Sequence, residues 1–235
     1  MLYTEETVRA NIRTREGKRV FFLGKGDTLT PGARDYLSRE RIEIRCASQA
    51  KIDRYERLDG GYFTEKPENM THLQGNILVP KDHPRILFRG MMDSLQGEIL
   101  LTQLKMDGKF RAYLQEILEL ARQIIRCDVL EEPLASQKLL GLTEDQLRLH
   151  SHFPQEQEGQ PHFMPDVADG EKILSLNRLR CAVRRAEVQA VSTFQDREGN
   201  PTRPDILQAL NRMSSAVYIL MIRMKKERYG KGTIG

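Results

Sequence analysis

The run Glu171-Lys-Ile-Leu-Ser-Leu-Asn-Arg-Leu-Arg-Cys-Ala-Val-Arg-Arg-Ala-Glu-Val-Gln-Ala-Val-Ser-Thr-Phe194 carries two stripes. Leu176, Leu179, Val183, Ala186 and Ala190 recur every three or four residues, the spacing of one face of an α-helix. Arg180, Arg184 and Glu187 recur with the same period, and Asn177 lies a turn earlier. The charged stripe therefore runs beside the apolar face and not opposite it. Two guanidinium forks on one stripe match phosphate oxygens, and a nearby carboxylate can orient one of them or hold a ribose hydroxyl. Taken alone, such a stripe is more often a solvated face with an internal salt bridge.

Other runs share this helical period. Ile86–Lys105 and Phe110–Cys127 predict two long helices, Leu134–Leu140 a short one, and Pro204–Arg228 a last long one with Pro204 in its first turn. Thr143 and Gln146 have the spacing of a capping box. Residues 150–170 hold three His and three Pro and read as a long loop. Trp is absent and aromatics are only 6%, which favours a core of packed helices over a β-sandwich. Towards the N-terminus the pattern changes. Arg19–Leu23 and Ile42–Ile44 read as short strands, with Thr30 capping a helix that starts at Pro31. The expected architecture is mainly α: a helical bundle over 85–235, a small α/β region over 1–58, and a linker with loops over 59–84.

Composition excludes several classes. Charged residues are 30% of the 235 and the formal net charge is +4, so the chain reads as globular and mildly basic. The longest basic cluster, Arg223 to Arg228, is short, which argues against a nucleic-acid partner. Cys46, Cys127 and Cys181 are far apart and predict free thiols rather than a zinc ribbon or a disulfide framework. The N-terminus has no signal-peptide pattern and no apolar run reaches membrane-spanning length, so a cytoplasmic location is expected.

Two further segments could carry chemistry. Lys81, Arg85 and Arg89 cluster where the first long helix begins, and the positive end of that helix favours an anion. Asp93 follows Arg89 at i+4 and reads by itself as a salt-bridge partner. In the last helix, Asn211 and Ser214 interrupt an apolar run from Ile206 to Ile222, a pattern that by itself reads as an interhelical hydrogen bond.

Together, in this order, the three segments resemble the PduO-type cobalamin adenosyltransferases. Lys81, Pro84, Arg85, Gly90 and Asp93 match one element of that family. Arg180, Arg184, Arg185 and Glu187 match a second, and Asn211, Arg212, Met213 and Ser214 a third. Ser215 departs, standing where the family has Asp. Leu29–Arg34, Met70–Leu73, Glu132–Gln137 and Arg203–Asn211 are similar to the ethanolamine-utilisation branch, EutT. Some members of that branch carry a His followed by a cysteine cluster. Here residues 55–75 contain no Cys and His72 stands alone, so no zinc or iron site is expected. Gly24–Thr28 is a faint echo of the family's Gly-rich phosphate loop.

The resemblance implies transfer of the 5′-deoxyadenosyl group of ATP to Co(I) cobalamin, with Mg²⁺ on the phosphates. It implies ATP contacts from Lys81, Arg180, Arg184, Glu187 and Asn211. Asp93 would pair with Arg180 near a subunit boundary, making Arg180, Arg184 and Asp93 the catalytic set. Phe163, with Asp93, would face the corrinoid and exclude its axial ligand; a plain loop anchor is the equally weighted alternative. His150, His152 and His162 read as surface residues. The resemblance further suggests a homo-oligomer (trimer or dimer), a reductase, ethanolamine ammonia-lyase as the consumer of the product, and association with a bacterial microcompartment. A non-catalytic carrier of corrinoid or nucleotide is the competing reading.

Overall fold

The computed structural model describes all residues except Glu16, Lys25, 47–53 and 231–235, and the side chains of Arg15, Cys46, Tyr229 and Gly230 also lie outside the description. The chain divides into two compact units. The first comprises Met1–Ile86 with Val129–Glu131, and the second Leu87–Asp128 with Glu132–Gly235.

The first unit is built from short strands and two helices. Strand β1 (Leu2–Tyr3) precedes α1 (Glu5–Ala10), then come β2 (Arg13–Arg15), β3 (Lys18–Leu23) and β4 (Thr28–Leu29). Helix α2 (Pro31–Arg39) starts as its sequence predicts, with the Thr30 hydroxyl accepting the Ala33 N–H at 3.3 Å. β5 (Glu43–Cys46) follows. β1 pairs with β4, and β3 lies between antiparallel β2 and parallel β5. Val8, Phe21, Ala33, Tyr36, Leu37 and Ile42 bury the apolar faces together. The Asp27 carboxylate accepts the Gly24 N–H at 2.9 Å.

The stretch expected as linker is a sheet. β6 (Tyr55–Arg57), β7 (Tyr62–Phe63), β8 (Met70–Gln74) and β9 (Ile77–Pro80) pair in the order β7-β6-β9-β8. Gly and Pro here mark the turns between strands too short for alternation to show, and Met70, Leu73, Leu78 and Val79 are buried.

The second unit is helical. α3 (Pro84–Gln103) enters it from Leu87, and α4 (Gly108–Leu130) leaves it only at its last two residues. Then come α5 (Glu144–His152), α6 (Pro154–Glu158), α7 (Gly170–Thr193) and α8 (Pro204–Gly230). Phe88, Met92, Leu95 and Ile99 of α3 and Leu114, Ile117, Ala121 and Ile124 of α4 share one core with α7 and α8. α7 contributes its predicted apolar stripe, Leu176 to Ala190, and α8 contributes Ile206, Leu210, Met213 and Val217. α7 carries the small buried residues Ala182, Ala186 and Ala190, and α7 and α8 form the most extensive helix contact among the described residues.

Two expectations fail locally. Leu134–Leu140 is not a helix but an irregular segment, with a bridge between Leu139 and Leu142. Its helical competitor loses because Leu134 gives its N–H to Asp205 at 2.8 Å and Leu140 gives its N–H to Glu116 at 2.7 Å. The expected loop 150–170 is partly ordered into helix, since the Thr143–Gln146 capping box launches α5 and Pro154 starts α6. α6 stops at Gly159, whose φ of 70° is the left-handed conformation that glycine adopts without strain. Only 160–166 run irregularly before a 3₁₀ turn at Val167–Asp169.

Candidate functional site

The polar stripe of α7 and the polar positions of α8 face one another across a cavity of about 900 Å³. Asn177, Arg180, Arg184 and Glu187 form one wall, spaced 3, 4 and 3 residues apart as a helix face requires. Asn211, Ser214, Ser215 and Tyr218 form the facing wall, with Met221 a turn beyond. The irregular segment His162–Pro165 and the end of α5, through Ser151 and His152, complete the lining.

The walls are tied at one point. Asn211 Nδ2 donates to Glu187 Oε1 at 2.8 Å. The interhelical bond expected of Asn211 therefore exists, and the same pair also borders the cavity. Beside it, the cations are held without carboxylates. The Arg180 guanidinium carbon sits 4.6 Å from the centroid of the Tyr218 ring. Its Nε is buried and has no hydrogen-bond partner among the described residues. Arg184 is exposed at the cavity. A buried N–H donor without an acceptor costs about 1–3 kcal/mol, a cost that an acceptor entering the cavity would relieve.

The segment 150–170 is clamped onto α8. Glu158 accepts from Arg223 at 2.8–3.1 Å, and from His150 at 2.8 Å. Burial works to raise the Glu158 pKa, but Arg223 and His150 outweigh it and hold the carboxyl below its ordinary value. Asp169, buried, pairs with Lys225 at 2.7 Å, and that ion pair holds its carboxyl low. Lys225 Nζ in turn stands 4.0 Å from the centre of the Phe163 ring. His162 Nδ1 meets the Tyr218 hydroxyl at 2.9 Å and its Nε2 meets the His152 carbonyl at 3.1 Å. The histidines read as surface residues are thus partly engaged: His150 has a carboxylate partner, and His162 joins the cavity wall.

Five of the seven residues singled out in the sequence, namely Phe163, Arg180, Arg184, Glu187 and Asn211, converge here. Lys81 falls in the other unit, in the turn after β9, where its N–H donates to the Asn69 carbonyl at 3.0 Å. Asp93 is exposed on α3 and accepts from Gln96 of the same helix at 3.4 Å. Its expected neighbour Arg89 bonds instead to the fully buried Asp128 at 2.6 Å, and Arg85 pairs with Glu131 at 2.9 Å. The basic cluster at the start of α3 is therefore largely neutralised by acids from the end of α4, contrary to the anion site expected there. Sequence reasoning missed Tyr218, although it stands seven residues after Asn211 and so shares its stripe. It also missed Ser151, whose hydroxyl lies 3.1 Å from that of Ser215.

A family model described as cobalamin adenosyltransferase matches residues 61–224. The chain belongs to the cobalamin adenosyltransferase family. It is 33% identical to the corrinoid adenosyltransferase EutT of Salmonella typhimurium and 31% identical to that of Escherichia coli, in each case over 93% of this chain and 90% of the relative. The matched span includes every residue that lines the cavity, and the family assignment removes support from the carrier reading. No helix among the described residues is long and apolar enough to cross a membrane. Among the described residues, no three His, Cys, Asp or Glu side chains group as a metal site would need.

Proposed function

We infer that this chain transfers the 5′-deoxyadenosyl group of ATP to the cobalt of a reduced corrinoid. Co(I) supplies the electron pair, the new bond forms to C5′, and the C5′–O bond breaks to release triphosphate. The observation that carries this reading is the cavity between α7 and α8, where the partnerless Arg180 Nε and the exposed Arg184 meet the Glu187–Asn211 pair. A site for an ATP polyphosphate needs donors that are not already spent on carboxylates, and this wall has them. As charge builds on the leaving oxygen, Arg180 and Arg184 stabilise it; the protein needs no nucleophile of its own. Glu187 and Asn211 hold the ribose or adenine. Mg²⁺ arrives with the phosphates.

Phe163 covers the corrinoid's lower face and keeps its axial ligand away. Asp93 meets Arg180 of another copy at a subunit boundary, in a homo-oligomer. No zinc or iron takes part. The product serves ethanolamine ammonia-lyase, a reductase supplies the low-valent cobalt, and the enzyme works in the cytoplasm beside a microcompartment.

The test is anaerobic incubation of the protein with ATP, Mg²⁺ and chemically reduced cobalamin. Loss of the Co(I) absorbance with formation of a light-sensitive alkylcobalamin is expected, and it should survive chelation followed by Mg²⁺ restoration. Binding of ATP without any such loss would return the carrier reading; activity that chelation abolishes and Mg²⁺ fails to restore would overturn the metal assignment.

A further inference from the structure

Arg180 presents an unusual arrangement: a cation on the wall of a polar cavity that is oriented by a ring instead of a counter-charge. A carboxylate partner would occupy two of the five guanidinium N–H groups. An aromatic face fixes the cation through the ring quadrupole and occupies none. Tyr218 supplies that face, and it is itself buried on α8, so the platform is rigid.

The other end of Tyr218 is equally committed. The His152 carbonyl can only accept, so the His162 Nε2 that meets it carries a hydrogen. In the neutral imidazole Nδ1 is then the acceptor, and the Tyr218 O–H donates to it. The His162 ring lies nearly parallel to that of Tyr218, at 13°, and the Phe163 ring lies at 22° to it. One side chain thus touches the arginine on one wall and the irregular segment that forms another.

We propose that Tyr218 is a positioning residue for adenosyl transfer, with its ring holding Arg180 so that its N–H donors stay free for phosphate, and its hydroxyl registering His162, and with it Phe163, against the cavity. This rests on the adenosyltransferase reading above. The two roles are separable, because Tyr218→Phe keeps the ring and loses the hydroxyl, whereas Tyr218→Leu loses both.

The experiment measures MgATP affinity by titration calorimetry, and turnover with Co(I) cobalamin, for the full chain and both variants. Tyr218→Phe should bind MgATP within about twofold of the parent while turnover falls about fivefold, the scale of one neutral hydrogen bond. Tyr218→Leu should weaken MgATP binding about tenfold, the scale of a desolvated cation–π contact. A Tyr218→Leu protein that binds MgATP like the parent overturns the platform role. A Tyr218→Phe protein with parental turnover overturns the hydroxyl role, and one that weakens MgATP as much as Tyr218→Leu overturns the separation. Should Tyr218→Leu unfold, the split between affinity and turnover in Tyr218→Phe still decides. A parent protein that binds MgATP but transfers nothing fails the functional reading alone, since the affinity comparison at Arg180 remains.

Discussion

Two sets of arginines in this molecule share residue type and lie on or beside long helices, yet they are built differently. Arg89 on α3 reaches Asp128, whose side chain is 0% exposed, and Arg203 meets Asp205 at 2.8 Å beside the start of α8. Arg180 and Arg184 on α7 face a cavity, the first held by a ring and the second exposed. The paired arginines meet carboxylates of the fold, while among the described residues the cavity arginines meet none. Partnership, and not basicity, separates the two sets here, and the proposed function assigns ligand contact to the set without carboxylates.

The largest effect should come from breaking the paired set. Arg89→Ala leaves the Asp128 carboxylate buried without its cation and should cost about 3–5 kcal/mol in urea unfolding, while turnover per folded molecule stays near the parent's. If Arg89→Ala kept its stability but lost turnover, the division between the two sets would collapse.

Arg184→Lys addresses the other set. The charge remains but the planar fork is lost, so turnover should fall about a hundredfold, the scale of one charge-stabilising donor. MgATP affinity should fall less, because the contact strengthens as charge develops on the leaving triphosphate. Thermal stability should move by less than about 1 kcal/mol, as for other exposed cations. Normal turnover would remove Arg184 from the site.

The smallest effect sharpens the paired class through pH. Burial works to raise the Asp205 pKa, but the Arg203 guanidinium and the N–H groups of Leu134 and Ile206 overcome it and hold the carboxyl at about 2. A carboxyl with a depressed folded pKa stabilises fully above its ordinary value and loses that contribution as pH falls towards 2. Asp205→Asn should therefore be less stable than the parent by about 1.5 kcal/mol at neutral pH. The gap should narrow from about pH 4 to about pH 2. A gap that stayed constant across that range would mean that Asp205 acts through packing and not through charge.

How much of the molecule was legible in the sequence depends on range. The α7 stripes were readable because apolar and charged positions repeat at 3.6 residues over 24 residues, long enough for periodicity to dominate. The Thr30 and Thr143 caps were readable because a cap is a contact within three residues. The sheet at 55–80 was not, since its strands are two to five residues long and their pairing partners lie up to about twenty positions away. Leu134–Leu140 has helical spacing, but acceptors on α4 and α8 claim two of its N–H groups. In the site, residue types and spacing identified Arg180, Arg184, Glu187 and Asn211. They could not reveal that Arg85 and Arg89 would be claimed by Glu131 and Asp128, because nothing local marks a partner about forty residues away.

Helix α8 touches the site's surroundings at three levels. Asp205 at its start pins the 134 segment, Asn211 to Tyr218 face the cavity, and Arg223 and Lys225 near its end clamp the 150–170 segment. Each residue added to a helix rotates the downstream turns by about 100° and advances them about 1.5 Å. A single insertion or deletion between Asp205 and Arg223 would therefore throw one end out of phase with the other, and no local adjustment could restore both. The cavity therefore depends on how many residues separate its side chains as well as on what those side chains are. Its rotational phase is set along one uninterrupted rod.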